Sequence, residues 1–189
     1  MLTEMKPIEH FKDLVGTAIK RQKVATNELA EFYLSNLLVN FILSERLNPE
    51  PLAITYIKAL GEGRRIQLQQ MRQLGDLSLF TSGFFSDSLK RKVVDLDYYM
   101  AMGVSSYSYV AAIHREDNAA LAALFSELAS KFNAFVDVLT EVSERSRLTS
   151  SRDILRIYER WLRTKSKHAE RMLRDLGIEP LHVSTKTLQ

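Results

Sequence analysis

The sequence predicts an all-α protein, a single-domain bundle of six to seven helices that ends in a long antiparallel helical hairpin. Glycine and proline, the residues that most often interrupt helices, number only 7 and 4 among 189 residues. β-branched runs flanked by turn residues are missing, and apolar residues recur at spacings of three and four. With 46% hydrophobic residues, the chain has enough apolar surface for a sizeable core. We therefore expect residues 1–189 to form one domain, with a frayed tail at 183–189.

The first two predicted helices follow from a proline, a capping residue and two apolar patterns. Pro7 suits the first turn of a helix, and this helix is expected over residues 8–22. Thr26 is a candidate N-cap for a second helix over residues 27–45. Apolar residues cover most of the circumference of the second helix, which predicts a place for it at the centre of the bundle.

Proline and glycine punctuate the next part of the chain. The segment Asn48-Pro49-Glu50-Pro51 ends the second helix, and a third helix is expected to begin near Pro51. The segment Gly61-Glu62-Gly63 should bend or split this helix, and the half over residues 62–79 is polar on one side. Serine, glycine and aspartate between Thr81 and Ser88 predict an aromatic-bearing loop there.

Three more helices are predicted after this loop, over residues 94–114, 118–146 and 152–176. Asp117 is a candidate cap of the helix at 118–146. The short connection at residues 147–151 makes the last two antiparallel neighbours. A continuous heptad seam is expected along residues 118–146, formed by Leu121, Phe125, Leu128, Phe132, Phe135, Leu139 and Val142.

A basic stripe follows the predicted last helix. Its members recur with gaps of 4, 4, 3, 4, 4 and 3 and fall on one helix face: Arg152, Arg156, Arg160, Arg163, Lys167, Arg171 and Arg174. Residues 145–174 hold ten lysines and arginines against three carboxylates, so the rest of the chain is net acidic. The stripe predicts a surface for an acidic protein or another polyanion. The alternative is a solvated helix face, because Glu159 and Glu170 favour local pairing with arginines four positions later.

Aromatic and methionine side chains cluster around the predicted helix at 94–114. The candidate ligand pocket consists of Phe84, Phe85, Tyr98, Tyr99, Met102, Gly103 and Tyr107. Such a set is typical of a site for an apolar or aromatic ligand. A glycine within a helix, here Gly103, either lets a neighbour approach closely or leaves a cavity. The alternative is ordinary core packing, in which buried tyrosine hydroxyls find partners.

The sequence carries no catalytic signature, and we expect no catalytic residue, no metal site and no cofactor. Cysteine is absent, which excludes disulfides, thiolate metal ligands and cysteine nucleophiles. The Glu-x-x-His pair of Glu179 and His182 contains a proline and does not suit a regular helix. The carboxylates Asp137, Glu141 and Glu144 lie off the apolar seam and are interpreted as a solvated face.

These observations favour a non-enzymatic helical interaction or regulatory module that contacts an acidic partner through its basic C-terminal helix. The alternative is a small-molecule-binding protein or enzyme that uses the aromatic pocket. The apolar surface of the second helix and of the seam predicts a homo-oligomer, most simply a homodimer. The first ten residues lack the apolar segment of a signal peptide and no stretch is apolar enough to span a bilayer, so a cytoplasmic protein is expected. Nucleic acid is a candidate polyanion without any recognition motif to support it.

Overall fold

The computed structural model describes residues 7–43, 51–84 and 96–146, together with Trp161, Lys165, Lys167 and Glu170. Seven helices and no strand lie in these described residues, which confirms the all-α prediction. The helices are α1 Pro7–Arg21, α2 Glu28–Leu43, α3 Leu52–Leu60, α4 Arg64–Phe84, α5 Leu96–His114, α6 Ala119–Ser130 and α7 Phe132–Ser146. The chain divides into two compact units, residues 1–147 and 148–189, and these helices belong to the first. The single domain and the frayed tail stay predictions.

Helix α4 lies at the centre of the first unit. It packs against α2, α3, α5 and α7, and buries Met71, Leu74 and Leu79 among others. Helix α2 packs against α1, α4 and α6, but leaves Leu29 and Phe32 46% and 52% exposed. The prediction that the second helix is central is therefore wrong, because its apolar circumference is divided between the interior and an open face.

Glycine lets α4, α5 and α7 approach one another closely. A Cβ atom on Gly75 would lie 2.4 Å from the ring of Tyr107, and a Cβ atom on Gly103 would lie 2.2 Å from the ring of Phe132. A Cβ atom on Gly83 would likewise lie 2.5 Å from Cβ of Leu139 on α7. A neighbouring side chain thus occupies the space that a larger residue would need. At Gly103 the structure shows close approach, the first of the two alternatives that the sequence left open.

Two asparagines start helices at which other caps were predicted. The side-chain oxygen of Asn27 accepts a hydrogen bond of 2.9 Å from the backbone three residues on, so Asn27 rather than Thr26 caps α2. The Thr26 hydroxyl donates instead to Glu127 at 2.7 Å. Asn118 caps α6 in the same way at 3.0 Å, whereas the Asp117 carboxylate is bound by side chains that precede it. Helix α2 therefore begins at Glu28 and α6 at Ala119, each one residue later than predicted.

The predicted loop at 81–88 is helical over its first half, because α4 continues through Phe84. The hydroxyl of Thr140 on α7 donates to the carbonyl oxygen of Gly83 at 3.0 Å, and Ser82 is fully buried. Packing against α7 therefore overrides the local preference of serine and glycine for a turn. Residues 85–88 lie outside the described residues.

The predicted helix at 118–146 is two helices. Lys131 separates α6 from α7, and the pair is bent by 76°. The Lys131 ammonium donates to the Glu127 carboxylate at 2.9 Å and to the carbonyl oxygen of Ala25, so the break is tied to the α1–α2 connection. The prediction of a single continuous seam along residues 118–146 is therefore wrong.

Six of the seven seam residues are nonetheless core residues, because each half of the seam faces its own neighbours; Leu121 is partly exposed. Helix α6 packs mainly against α5, and α7 packs mainly against α4 and α1. The buried members are Phe125, Leu128, Phe132, Phe135, Leu139 and Val142. Among the described helices, none is by itself long and apolar enough to cross a membrane; α6 and α7 reach that length and hydropathy only as a bent pair.

The second unit is described at four positions. Trp161, Lys167 and Glu170 are helical, and Trp161 is buried. Lys165 has a φ of 49°, outside the right-handed helical region, and its ammonium lies 4.2 Å from the centre of the Trp161 ring. The predicted helix at 152–176 is therefore interrupted at Lys165. The other residues of this helix, and with them its hairpin arrangement, lie outside the described residues.

Candidate functional site

An open groove runs between α2 and α4, with parts of α5 and α6 at its base. Its volume is about 860 Å³. We call it the arginine groove; it is lined by Leu29, Phe32, Tyr33, Asn36, Asn40, Arg64, Arg65, Leu68, Gln69, Arg72, Val110, His114, Leu121, Leu124 and Phe125. Apolar side chains form its floor, and polar side chains form much of its rim.

The two walls are single faces of helices. The α2 wall extends from Leu29 to Asn40, about 16 Å at 1.5 Å per residue. The α4 wall extends from Arg64 to Arg72, about 12 Å by the same measure. The groove is therefore a trough about as long as three turns of helix.

Three arginines are the charged residues that α4 contributes to the groove, and no aspartate or glutamate is among the lining residues that the structure describes. Arg64 donates to Asp117 at 2.9 Å and to the carbonyl oxygen of Ile113 at 3.2 Å. Arg65 is exposed and makes no hydrogen bond or ion pair with any residue that the structure describes. Arg64 is thus already paired with a carboxylate, and the positive charge open to an anion in this part of the chain is that of Arg65 and of the half-exposed Arg72.

A hydrogen-bond network lies at one end of the groove and joins α2, α4 and α5. The hydroxyls of Tyr33 and Tyr107 both donate to Oδ1 of Asp76, at 2.6 and 2.8 Å. Nε of Arg72 donates to the Tyr33 hydroxyl at 3.0 Å and lies 3.8 Å from Oδ2 of Asp76. The Arg72 guanidinium also stands over the Tyr33 ring, 5.1 Å from its centre.

Burial governs the ionisation of this network. Burial and the neighbouring Asp76 charge raise the pKa values of Tyr33 and Tyr107 well above their ordinary range. Burial also raises the pKa of Asp76, although the tyrosine hydrogen bonds and the Arg72 charge oppose the shift. Burial alone would lower the pKa of Arg72, but Tyr33 and Asp76 outweigh it and the pKa is raised. Near neutral pH Arg72 is therefore cationic and both tyrosines are neutral.

Phe125 is the aromatic centre of the groove floor. Its ring lies 5.6 Å from that of Tyr33, 5.7 Å from that of Tyr107 and 6.4 Å from that of His114, measured between ring centres. Aromatic pairs at such distances add to the stability that burial provides. The rings of Tyr33 and Tyr107 therefore connect any molecule that contacts Phe125 to the Asp76 network.

Glu127 fixes the start of the α2 wall. Thr26 donates to its Oε1 at 2.7 Å and Asn27 donates to its Oε2 at 2.9 Å. Lys131 donates to the same carboxylate at 2.9 Å. Since these bonds join the α1–α2 connection to α6, they fix the start of the α2 wall relative to α6, which forms part of the base of the groove.

The described residues of the predicted aromatic pocket are not among those that line the arginine groove. The Tyr98 hydroxyl accepts a hydrogen bond of 2.9 Å from the backbone of Ala53 and so satisfies an open amide at the start of α3. Tyr99 meets the Tyr98 ring edge-on at 5.7 Å, and Met102 is partly exposed.

The other pocket residues have packing partners. Phe84 stacks on Phe80 with ring centres 4.9 Å apart. Gly103 and Tyr107 lie in the closely packed interior described above, and Phe85 lies outside the described residues. A ligand role for this set stays a prediction.

One residue of the basic stripe is described: Lys167, which is helical and exposed. The positive φ of Lys165 comes between Arg163 and Lys167, so the stripe does not continue along one uninterrupted helix. The members outside the described residues are Arg152, Arg156, Arg160, Arg163, Arg171 and Arg174. Binding of a polyanion by the stripe stays a prediction.

The arginine groove combines apolar side chains with guanidinium and amide groups. Such a combination is suited to binding another molecule through apolar contacts and hydrogen bonds. Within the described ranges, no three histidine, aspartate or glutamate side chains come together to hold a metal ion. Sequence reasoning missed the groove, although a signal for it exists. Arg65, Gln69 and Arg72 follow the same spacing of four and three that revealed the basic stripe.

No protein-family model, no curated protein and no solved structure matches this chain, so the geometry of the groove carries the functional argument.

Proposed function

We propose that the protein is a non-enzymatic helical interaction module that binds an amphipathic, acidic segment of a partner protein in the arginine groove. The observation that supports this most strongly is the composition of the groove, whose described lining residues combine an apolar floor with three arginines and include no carboxylate. An apolar stripe on the partner buries against the floor and supplies affinity. Acidic residues beside that stripe meet the arginines and supply specificity and a faster association rate.

A helix is the occupant that the shape of the groove favours. The walls are two helix faces, and the trough accepts about three turns of a third helix, the arrangement known as helix-in-groove recognition. Phe32 and Leu29, at the outer edge, are 52% and 46% exposed. A partner helix would cover both side chains, whereas a small molecule on the floor would leave them in water.

Synthetic helical peptides with a leucine stripe test this proposal by fluorescence anisotropy. A peptide with glutamate beside the stripe should bind, and the same peptide with lysine in place of glutamate should not. The affinity should fall as salt is added, because salt screens the exposed part of the ion pairs.

Variants locate the binding surface. Phe32→Ser should weaken binding, while Ile66→Ser, at a 47% exposed residue outside the groove, should not. Equal effects of the two substitutions, or equal binding of the acidic and basic peptides, would refute the proposal.

The small-molecule alternative has one observation in its favour. The groove volume of about 860 Å³ falls within the range of about 300–1,000 Å³ that is typical of ligand sites. Thermal-shift measurements with fatty acids and aromatic carboxylates test it. A large stabilisation by one of these classes, combined with no peptide binding, would replace the interaction module with a small-molecule-binding protein.

The basic stripe at 152–174 supports a second contact with an acidic protein or another polyanion, nucleic acid included. Arg156→Glu combined with Arg163→Glu should abolish such binding at low salt. Flat titrations of the unmodified protein with DNA, RNA and anionic vesicles would remove this contact from consideration.

We propose a homodimer as the assembly. Ile54, Ile57 and Leu60 are 45%, 69% and 47% exposed and lie on one side of the short helix α3. Exposed apolar clusters of this kind are typical of interaction surfaces. Light scattering distinguishes the monomer mass of 21.7 kDa from twice that mass, and Ile57→Asp should convert the dimer to the monomer. A cytoplasmic location stays a prediction.

A further inference from the structure

Arg72 is held in one place by the fold. Its Nε donates to the Tyr33 hydroxyl at 3.0 Å, and its guanidinium carbon lies 5.1 Å from the centre of the Tyr33 ring. Tyr33 is fixed in turn by its hydrogen bond of 2.6 Å to Asp76. These contacts use the Nε edge, and neither Nη group is hydrogen-bonded to a residue within the described ranges. Since the side chain is 55% exposed, its Nη groups remain available to an occupant of the groove.

Arg65 lies two turns before Arg72 on the same face of α4. Arg65, Gln69 and Arg72 are separated by four and three residues, and all three line the groove. At 1.5 Å per residue the two arginines are about 10.5 Å apart along the helix. Gln69 between them carries no charge, so no side chain between the two arginines repels an incoming carboxylate.

We propose that Arg65 and Arg72 recognise two carboxylates that are spaced two turns apart on the partner helix, at positions i and i+7. This inference rests on the proposed function, because it specifies the occupant of the same groove. Carboxylates at i and i+7 repeat the separation of about 10.5 Å, whereas carboxylates at i and i+4 are only about 6 Å apart. Guanidinium–carboxylate contacts are directional and often two-pronged, so they discriminate between these spacings.

Three synthetic peptides of equal length and with the same leucine stripe test the spacing. One carries two glutamates at i and i+7, one carries them at i and i+4, and one has glutamine at all of these positions. We expect the i, i+7 peptide to bind about tenfold more tightly than the i, i+4 peptide, since only it engages both arginines through charge-assisted hydrogen bonds. The advantage should shrink at high salt.

Variants of the full chain assign the preference to the two arginines. Arg65→Gln and Arg72→Gln should each remove the preference for i, i+7 spacing. Lys12→Gln, at an exposed cation of α1 outside the groove, should leave it intact. Arg72→Lys keeps the charge but lacks the guanidinium fork, so it should retain acidic-peptide binding and lose the spacing preference. Its thermal unfolding, followed by circular dichroism, reports any loss of fold.

The outcomes separate this inference from the proposed function. Equal affinity for the two glutamate peptides, with both bound more tightly than the glutamine peptide, would overturn the spacing inference and leave the proposed function standing. Retention of the preference in Arg65→Gln and Arg72→Gln would also overturn it. No detectable binding of any of the three peptides would overturn both.

Discussion

Replacement of Gly103 by alanine measures how closely α4, α5 and α7 meet. The new Cβ atom would lie 2.2 and 2.4 Å from Cζ and Cε2 of Phe132, and 3.0 Å from Cβ of Ser78. Ordinary contact begins at 3.4 Å, so the Phe132 ring must withdraw by about 1 Å. That ring is 1% exposed and has the Tyr107 ring as a neighbour, 6.0 Å away between centres, so it lies enclosed among other side chains.

Two opposing effects set the size of the loss. Alanine is favoured over glycine in a helix interior by about 1 kcal/mol. Overpacking a dense core costs about 1–3 kcal/mol, and the enclosed ring places Gly103→Ala at the upper end of that range. We therefore expect the free energy of unfolding to fall by about 2 kcal/mol.

Gly16 is the matched control, because it is also a buried glycine inside a helix. Its new Cβ atom would meet Oε1 of Glu31 at 2.8 Å, the end of a flexible side chain that moves aside readily. Gly16→Ala should therefore raise stability by up to about 1 kcal/mol. Urea denaturation compares both variants with the unmodified protein. If Gly103→Ala proves as stable as Gly16→Ala, the three helices do not pack as closely as described.

The Asp76 network and the core supply four more expectations, each read from urea denaturation. Asp76→Ala should cost about 2–4 kcal/mol because two tyrosine hydroxyls lose their acceptor, while Asp76→Asn keeps an oxygen there and should cost about 1 kcal/mol; equal losses would contradict the network. Burial raises the pKa of Tyr107 above the value of about 10 of the unfolded chain, so its stabilising effect is complete below that pH and is lost as the pH rises further. Tyr107→Phe should thus reduce the alkaline loss by about 1.4 kcal/mol per pH unit, and an unchanged slope would argue against a buried hydroxyl. Ser106→Ala should be neutral or stabilising by up to about 1 kcal/mol, since its hydroxyl is buried and has no hydrogen-bond partner among the described residues; a clear loss would reveal a partner. Leu128→Ala should cost about 2–5 kcal/mol, and a cost below about 0.5 kcal/mol would place Leu128 at the surface.

Helix positions were predictable where the signal is local. The starts of α1 and α5 lie within two residues of the predicted positions, because prolines, caps and apolar periodicity act over a few residues. The break at Lys131 had no local signal. Apolar spacing of four and three continues across it, and two helices of different direction satisfy that spacing as well as one does. The contact of Lys131 with Ala25, more than a hundred residues earlier, ties this break to the α1–α2 connection.

The groove and its network illustrate the same distinction. The sequence shows Arg65 and Arg72 on a polar face of α4, but which helix face stands opposite depends on the packing of the whole unit. Asp76 is a carboxylate in an apolar stretch, which is a sign of a buried polar contact. Its partners Tyr33 and Tyr107 are 43 and 31 residues away, a separation at which sequence spacing alone identifies no contact.

The shared acceptor at Asp76 also determines the register of the bundle. Helices that meet through rows of leucine can slide past each other by one turn, about 5.4 Å, and still bury similar apolar area. Here such a slide of α2 or α5 along α4 would carry Tyr33 or Tyr107 away from Asp76, so that the carboxyl group loses one of its two hydroxyl donors and the displaced tyrosine loses its acceptor. An unsatisfied buried polar group costs about 1–3 kcal/mol, and more when it is charged. The slipped arrangements are therefore depopulated, and the two faces that form the arginine groove stay in register before any partner arrives.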